Sequence, residues 1–277
     1  MSGALSGFRV VILGVNVPAM LVGARLAGFG AAVTKIESPA GDPTEHAAAD
    51  WYRDASVGID VRKVDLKADA GKAEVAELVA EADVLVTVMR PSAVERLGFA
   101  YATLSEKHPD LVYVAITGFP TPRENVAGHD LTYQAELGLV TPPALPRVLV
   151  ADLAGSERAV SAVTALLAGR SRNNPERFAE VALSEAAEAF AVGHRYGVTG
   201  PSGVAGGGDV LYGLFEAADG WIAVAALETH FRTRLLAELG LASENRAALA
   251  EVFRTRGARE WQAWAEGLDL PIAAVAG

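Results

Sequence analysis

The chain has 277 residues, enough for one large domain or for two unequal ones, each with its own core. A composition of 51% apolar and 21% charged residues belongs to a folded globular protein, and the absence of cysteine excludes disulfides, a thiolate nucleophile and a thiolate metal site. With 24 basic and 34 acidic residues the formal charge is −10, which argues against nonspecific nucleic-acid binding. Arg9 interrupts the N-terminal apolar run, and no segment stays apolar for the ~20 residues of a membrane helix. The expectation is a cytoplasmic enzyme or binding protein with no membrane partner.

The first half alternates strand-like and helical patterns. Phe8 to Gly14 has the pattern of a buried strand, Met20 to Leu26 of a helix, and Ala31 to Glu37 of a second strand. A helical stretch from Gly71 to Glu81 precedes the strand Val84 to Val88, and a short helix from Tyr101 to Lys107 precedes the strand Leu111 to Ile116. Strands apolar on both faces and separated by helices predict a parallel sheet covered on two sides, an α/β Rossmann-like arrangement. A dinucleotide is not its ligand. Gly14 leads into Val15-Asn16-Val17-Pro18 instead of the G-x-G-x-x-G turn that lets a backbone approach pyrophosphate.

Asp152 stands at the start of an alanine-rich helix running to about Gly169, where capping alone would explain an aspartate. A strand from Phe178 to Leu183 and a helix from Ser184 follow. Gly197 to Gly208 holds six glycines in twelve residues, the composition of a linker or mobile loop. Beyond it, Val210 to Glu216 and Trp221 to Ala226 flank Asp219-Gly220, a hairpin signal. Helical patterns at Thr229 to Leu239, Glu244 to Phe253 and Ala258 to Glu266 complete a smaller α+β domain. The predicted division is a large domain over 1–196, a linker over 197–208 and a small domain over 209–277.

Chemistry-bearing groups gather in Gly128-His129-Asp130-Leu131-Thr132-Tyr133, Val150-Ala151-Asp152 and Ala226-Leu227-Glu228, each flanked by apolar sequence that can move a pKa toward neutrality. Spacing alone favours His129 as a loop histidine satisfying backbone groups, and leaves Glu228 equally well explained as the start of a helix. The cations Arg53, Arg62, Lys63, Lys67, Lys72, Arg90 and Arg96 cluster in the N-terminal half, which by charge alone describes a solvated surface.

LSGFRVVILG, GFGAAVTKIESPAGDP, ADVLVTVMRPSAVERLGF, HPDLVYVAITGF, AGHDLTYQAELGL, ADLAG and YGLFEAADGWIAVAALETHF, in this order and spacing, resemble the family III CoA-transferases, the CaiB/BaiF family. Within it the α-methylacyl-CoA racemases are most similar. The resemblance implies a Rossmann-like large domain, a small domain and an interlocked homodimer. It also implies an acyl-CoA substrate, so that coenzyme A is carried as the thioester and no separate cofactor is needed.

Asp152 matches the aspartate that forms covalent intermediates in the transferases. In the racemases the matching aspartate is one of two bases, the other being the histidine that matches His129. Asp130 and Glu228 match carboxylates that support the histidine. Inverting a carbon α to a thioester requires removing a proton on one face and delivering one on the other, and backbone donors near Asp152 would stabilise the enolate oxygen between them. Arg90 and Arg96 match arginines that contact the nucleotide of CoA. Gly128 and Tyr133 fall where the family lines the same cleft, and Gly206 to Gly208 match a loop over the active site. The chain departs from the pattern at Ser92, where the family has glycine, and at Pro120-Thr121-Pro122-Arg123, which replaces a glycine-rich loop. These resemblances leave three expectations: a racemase, a transferase acting through Asp152, and a non-catalytic acyl-CoA-binding member.

Overall fold

The computed structural model describes residues 3–276. They divide into two compact units, one ending at Ala191 and the other beginning at Val192. In the first, the order is β1 (Arg9–Gly14), α1 (Asn16–Gly28), β2 (Ala32–Glu37), α2 (Pro43–Ala47), α3 (Ala49–Ala55), β3 (Ile59–Lys63), α4 (Asp69–Ala80) and β4 (Val84–Val88). There follow α5 (Pro91–Leu97), α6 (Tyr101–Lys107), β5 (Val112–Thr117), α7 (Asp130–Glu136), α8 (Val150–Arg170), β6 (Phe178–Ala182) and α9 (Leu183–Phe190).

All six strands are parallel, in the order β3-β2-β1-β4-β5-β6. Alternate residues of each strand serve opposite faces. Val10, Ile12, Val84, Val86, Val112 and Val114 pack with α1 and α8 residues such as Val22, Leu26, Ala159 and Val163. Val11, Leu13, Leu85 and Tyr113 pack instead with Val75, Val79, Val94 and Leu104 of α4, α5 and α6. The doubly apolar strands of the sequence are thus the central ones. β3, Ile-Asp-Val-Arg-Lys, is an edge strand whose charged residues conceal it from an apolar pattern.

Chain order reverses between β1 and β4, which opens a crevice at their carboxyl ends. Gly14 makes the close pairing there possible, because a Cβ at its φ of +148° would lie 2.7 Å from Val88 Cβ.

Near the same edge lies a buried ionic cluster. Lys35 Nζ donates to Glu37 Oε1 at 2.8 Å and to Asp42 Oδ2 at 2.5 Å, and Tyr52 Oη donates to Glu37 Oε1 at 2.6 Å. Burial pushes the Asp42 carboxyl up, but bonds from Lys35 and from the Thr44 and Asn16 amides outweigh it and hold it below its usual pKa. Burial and the Glu37 charge push the Tyr52 phenol up.

The second unit begins with α10 (Val192–Arg195) and continues through β7 (Tyr212–Ala217), β8 (Gly220–Ala225), α11 (Thr229–Leu239), α12 (Arg246–Phe253), α13 (Ala258–Glu266) and β9 (Ile272–Ala274). Its antiparallel sheet has the order β7-β8-β9. Leu211, Phe215, Ile222, Leu235, Phe253 and Trp261 form a core of their own. Asp219, in the hairpin turn, accepts from Ala258 N at 2.6 Å and so caps α13.

The glycine-rich stretch 197–208 is grouped with this second unit. Ala205 N donates to Val198 O at 2.9 Å and Gly208 N to Gly203 O at 2.9 Å, and the backbone kinks at Gly207, whose φ is 114°. A Cβ at Gly203, Gly206 or Gly208 would collide with the carbonyl oxygens of Gly197, Gly200 or Ser202 respectively. Glycine here permits close backbone approach.

Lys35 is the partner of two buried carboxylates, so Lys35→Ala is expected to destabilise the protein by about 3–5 kcal/mol, the cost of leaving buried charge uncompensated. Urea unfolding measures this, and a loss below about 1 kcal/mol would mean that the cluster holds its charge by other means.

Candidate active site

The crevice between β1 and β4 deepens into a cavity of about 240 Å³. His129 and Asp152 both line it, together with Arg90, Tyr133 and Gly128, so five of the residues singled out in the sequence meet at one place. Val15 and Asn16 enter from the β1–α1 turn, where Asn16 adopts a φ of 71°, a strained conformation for a residue with a side chain.

Asp152 is in the first turn of α8, and its position is fixed from α7. The Asp130 carboxylate Oδ1 accepts from Ala151 N at 2.7 Å and Asp152 N at 3.1 Å, while Oδ2 accepts from Gln134 Nε2 at 2.5 Å. Capping of α8 therefore comes from Asp130, 21 residues upstream of Ala151, and leaves the Asp152 side chain free for other work. The structure thus gives Asp130 partners on α8 and on Gln134. The Ala151 and Asp152 amides are therefore already paired with Asp130.

Burial pushes the Asp152 carboxyl up to about 7, and the nearby Asp130 charge adds to the shift. Gly155, one turn on, lets α8 approach α9 closely, since a Cβ there would collide with the Leu183 side chain.

His129 is exposed at the start of α7, and its amide donates to Thr132 Oγ1 at 3.0 Å. Tyr133 is buried beneath the cavity, its ring edge-on to Phe119 with centroids 5.1 Å apart. Burial, then the charges of Asp152 and Asp130, push its phenol up to about 12. The ring explains Gly128 and Gly118, at either of which a Cβ would run into Tyr133.

Arg90 is exposed at the start of α5. Arg96 is brought elsewhere, to an adjoining cavity of about 690 Å³ that it lines with Glu37, Ser38, Asp65 and Lys67. The two cavities share Val15, Val88 and Met89. Glu228 belongs to the second unit, exposed at the start of α11, where its carbonyl accepts from Arg232 N at 3.0 Å.

Sequence reasoning missed Asn16 and Glu124, both of which line the cavity. Glu124 lies in the loop where the family pattern breaks, and that break was its signal.

Raised from 3.8 to about 7, the Asp152 carboxyl makes a stability contribution that is fully present below pH 3.8. This contribution is lost as pH climbs from 3.8 through 7, where the folded protein must ionise a group that the unfolded chain ionises freely. Asp152→Asn is therefore expected to gain stability relative to the native chain at pH 8 but not at pH 4, by at most about 4 kcal/mol. Denaturant unfolding at the two pH values measures the difference, and one that does not grow with pH would rule out the raised carboxyl.

The profile of CoA-transferase family III matches residues 5–277. The α-methylacyl-CoA racemase of Mus musculus is 28% identical over 304 aligned residues, which cover 98% of this chain and 77% of that protein. A cinnamoyl-CoA:phenyllactate CoA-transferase of Clostridium sporogenes is 37% identical over 140 residues, or 46% of this chain and 34% of the transferase, so the match spans only about a third of that relative's length. The crystal structure of a hypothetical protein from Mycobacterium tuberculosis has the same fold, with a TM-score of 0.86 at 24% identity over 100% of this chain and 86% of that one. With its switch-point cavity and a family profile that spans nearly its whole length, the chain belongs to CoA-transferase family III.

Proposed function

We propose that the protein is an acyl-CoA racemase that inverts the α-carbon of a 2-methylacyl-CoA by two-base proton transfer. The observation that carries this reading is the single cavity lined by both His129 and Asp152. One of the pair removes the α-proton, the C–H electrons move into a planar enolate, and the other delivers a proton to the opposite face. A carboxyl near 7 suits this work, because Asp152 must accept a proton from one enantiomer and donate one to the other.

Arg90 in the same cavity and Arg96 with Lys67 in the adjoining one provide cations for the phosphates of CoA. CoA enters and leaves as part of the substrate. The reading includes a homodimer, for which Phe190, 71% exposed at the end of α9, offers apolar surface.

A second reading, a CoA-transferase, is favoured by the half-buried Asp152 carboxylate itself. It would attack an acyl-CoA to form an anhydride and release the CoA thiolate.

The test is proton exchange. A 2-methylacyl-CoA in deuterated water is expected to gain α-deuterium without any acceptor acid, and His129→Ala or Asp152→Ala should slow this by ~10²–10⁴-fold. Each variant should affect one enantiomer more than the other. Exchange-free transfer to an added acid, with a hydroxylamine-trappable adduct on Asp152, would establish the transferase. Binding without either reaction would establish a non-catalytic acyl-CoA binder. Sedimentation at micromolar concentration is expected to give a dimer, and a stable monomer would remove that part of the reading.

A further inference from the structure

The loop between β5 and α7 carries a carboxylate that the proposed reaction does not use. Glu124 lines the catalytic cavity and also a second cavity of about 270 Å³ on the α5–α6 side of the sheet, and Thr117 is likewise common to both. Asn125 fixes the loop, its Oδ1 accepting from Ser92 N at 3.1 Å and its Nδ2 donating to Glu124 Oε1 at 3.2 Å. The other oxygen, Glu124 Oε2, is sequestered from solvent and has no hydrogen-bond partner among the described residues. A buried carboxylate oxygen without a donor is costly.

The second cavity indicates what group would suit that oxygen. Its charged lining consists of Glu124 and Glu180, with no lysine, arginine or histidine. Glu180 already accepts from Thr117 and Thr121, at 3.3 and 3.2 Å, which leaves Glu124 the unsatisfied member of the pair. Tyr101, Tyr113 and Phe178 contribute three rings whose centroids lie 4.9–5.9 Å apart. Carboxylates combined with aromatic rings attract an ammonium group through its charge and through the ring quadrupole. The same lining repels a carboxylate.

We propose that Glu124 is a specificity-determining residue: the acyl group passes Thr117 into the second cavity, where Glu124 selects an end carrying an ammonium group and disfavours one carrying a carboxylate. This rests on the acyl-CoA reading above and names the class of acyl group that the site takes. Glu124 acts on the non-reacting end of the substrate, so its contribution is to binding and not to proton transfer.

The experiment uses three acyl-CoAs of equal chain length, ending in trimethylammonium, in its neutral isostere tert-butyl, or in carboxylate. Calorimetric titration of the native protein is expected to rank them in that order, with at least about tenfold between the first two. Glu124→Gln should bring those two within about twofold while leaving the affinity for free CoA unchanged. Equal binding of the ammonium and tert-butyl probes by the native protein overturns the inference. So does a preference that survives in a folded Glu124→Gln variant. If that variant does not fold, the ranking by the native protein decides alone. A native protein that binds CoA but ranks the probes differently refutes only the role of Glu124, whereas failure to bind CoA or any thioester refutes the acyl-CoA reading and this inference with it.

Discussion

One carboxylate at the start of α7 holds the site in register. Asp130 accepts the first amides of α8 and thereby ties two helices that the sequence separates by a long loop. It also places a negative charge beside Asp152 in a partly desolvated position. Capping and pKa control are therefore one interaction. A neutral residue at position 130 would weaken the helix start and ease the ionisation of Asp152 at the same time, so the acidity of Asp152 and the rigidity of its platform are not independently adjustable.

The sheet supplies the frame within which that interaction acts. Six parallel strands need both faces covered by helices. At the β1–β4 reversal, helices depart to opposite sides and a crevice remains for a ligand. The glycines nearby answer to particular neighbours. Gly14 admits Val88, and Gly118 with Gly128 admit the Tyr133 ring, so the cavity floor is set by contacts that no larger residue tolerates.

The sequence revealed most where a segment's own pattern determines its state. β1, β4 and β5 are apolar on both faces and, with β2, were recognisable, whereas β3 is a charged edge strand and β9 has only three residues. His129, Asp152, Arg90 and Tyr133 were found through motif resemblance, and they do share a cavity. What remained hidden depends on partners remote in the chain. Asp130 acts on α8, and Glu124 is positioned by Asn125 through Ser92, 33 residues before it. For the 197–208 stretch, composition reports glycine content and not the close backbone approaches at Gly203, Gly206 and Gly208.

That stretch also shows where a common equivalence fails. Glycine and serine are treated as interchangeable in flexible connectors, since both leave a solvated chain free to move. Here the backbone passes so close to itself at Gly203, Gly206 and Gly208 that even the single carbon of serine meets a carbonyl oxygen. A graft of generic glycine–serine sequence would preserve length and polarity yet unravel the turn. Substitution without such a clash is open only to the residues between those three glycines.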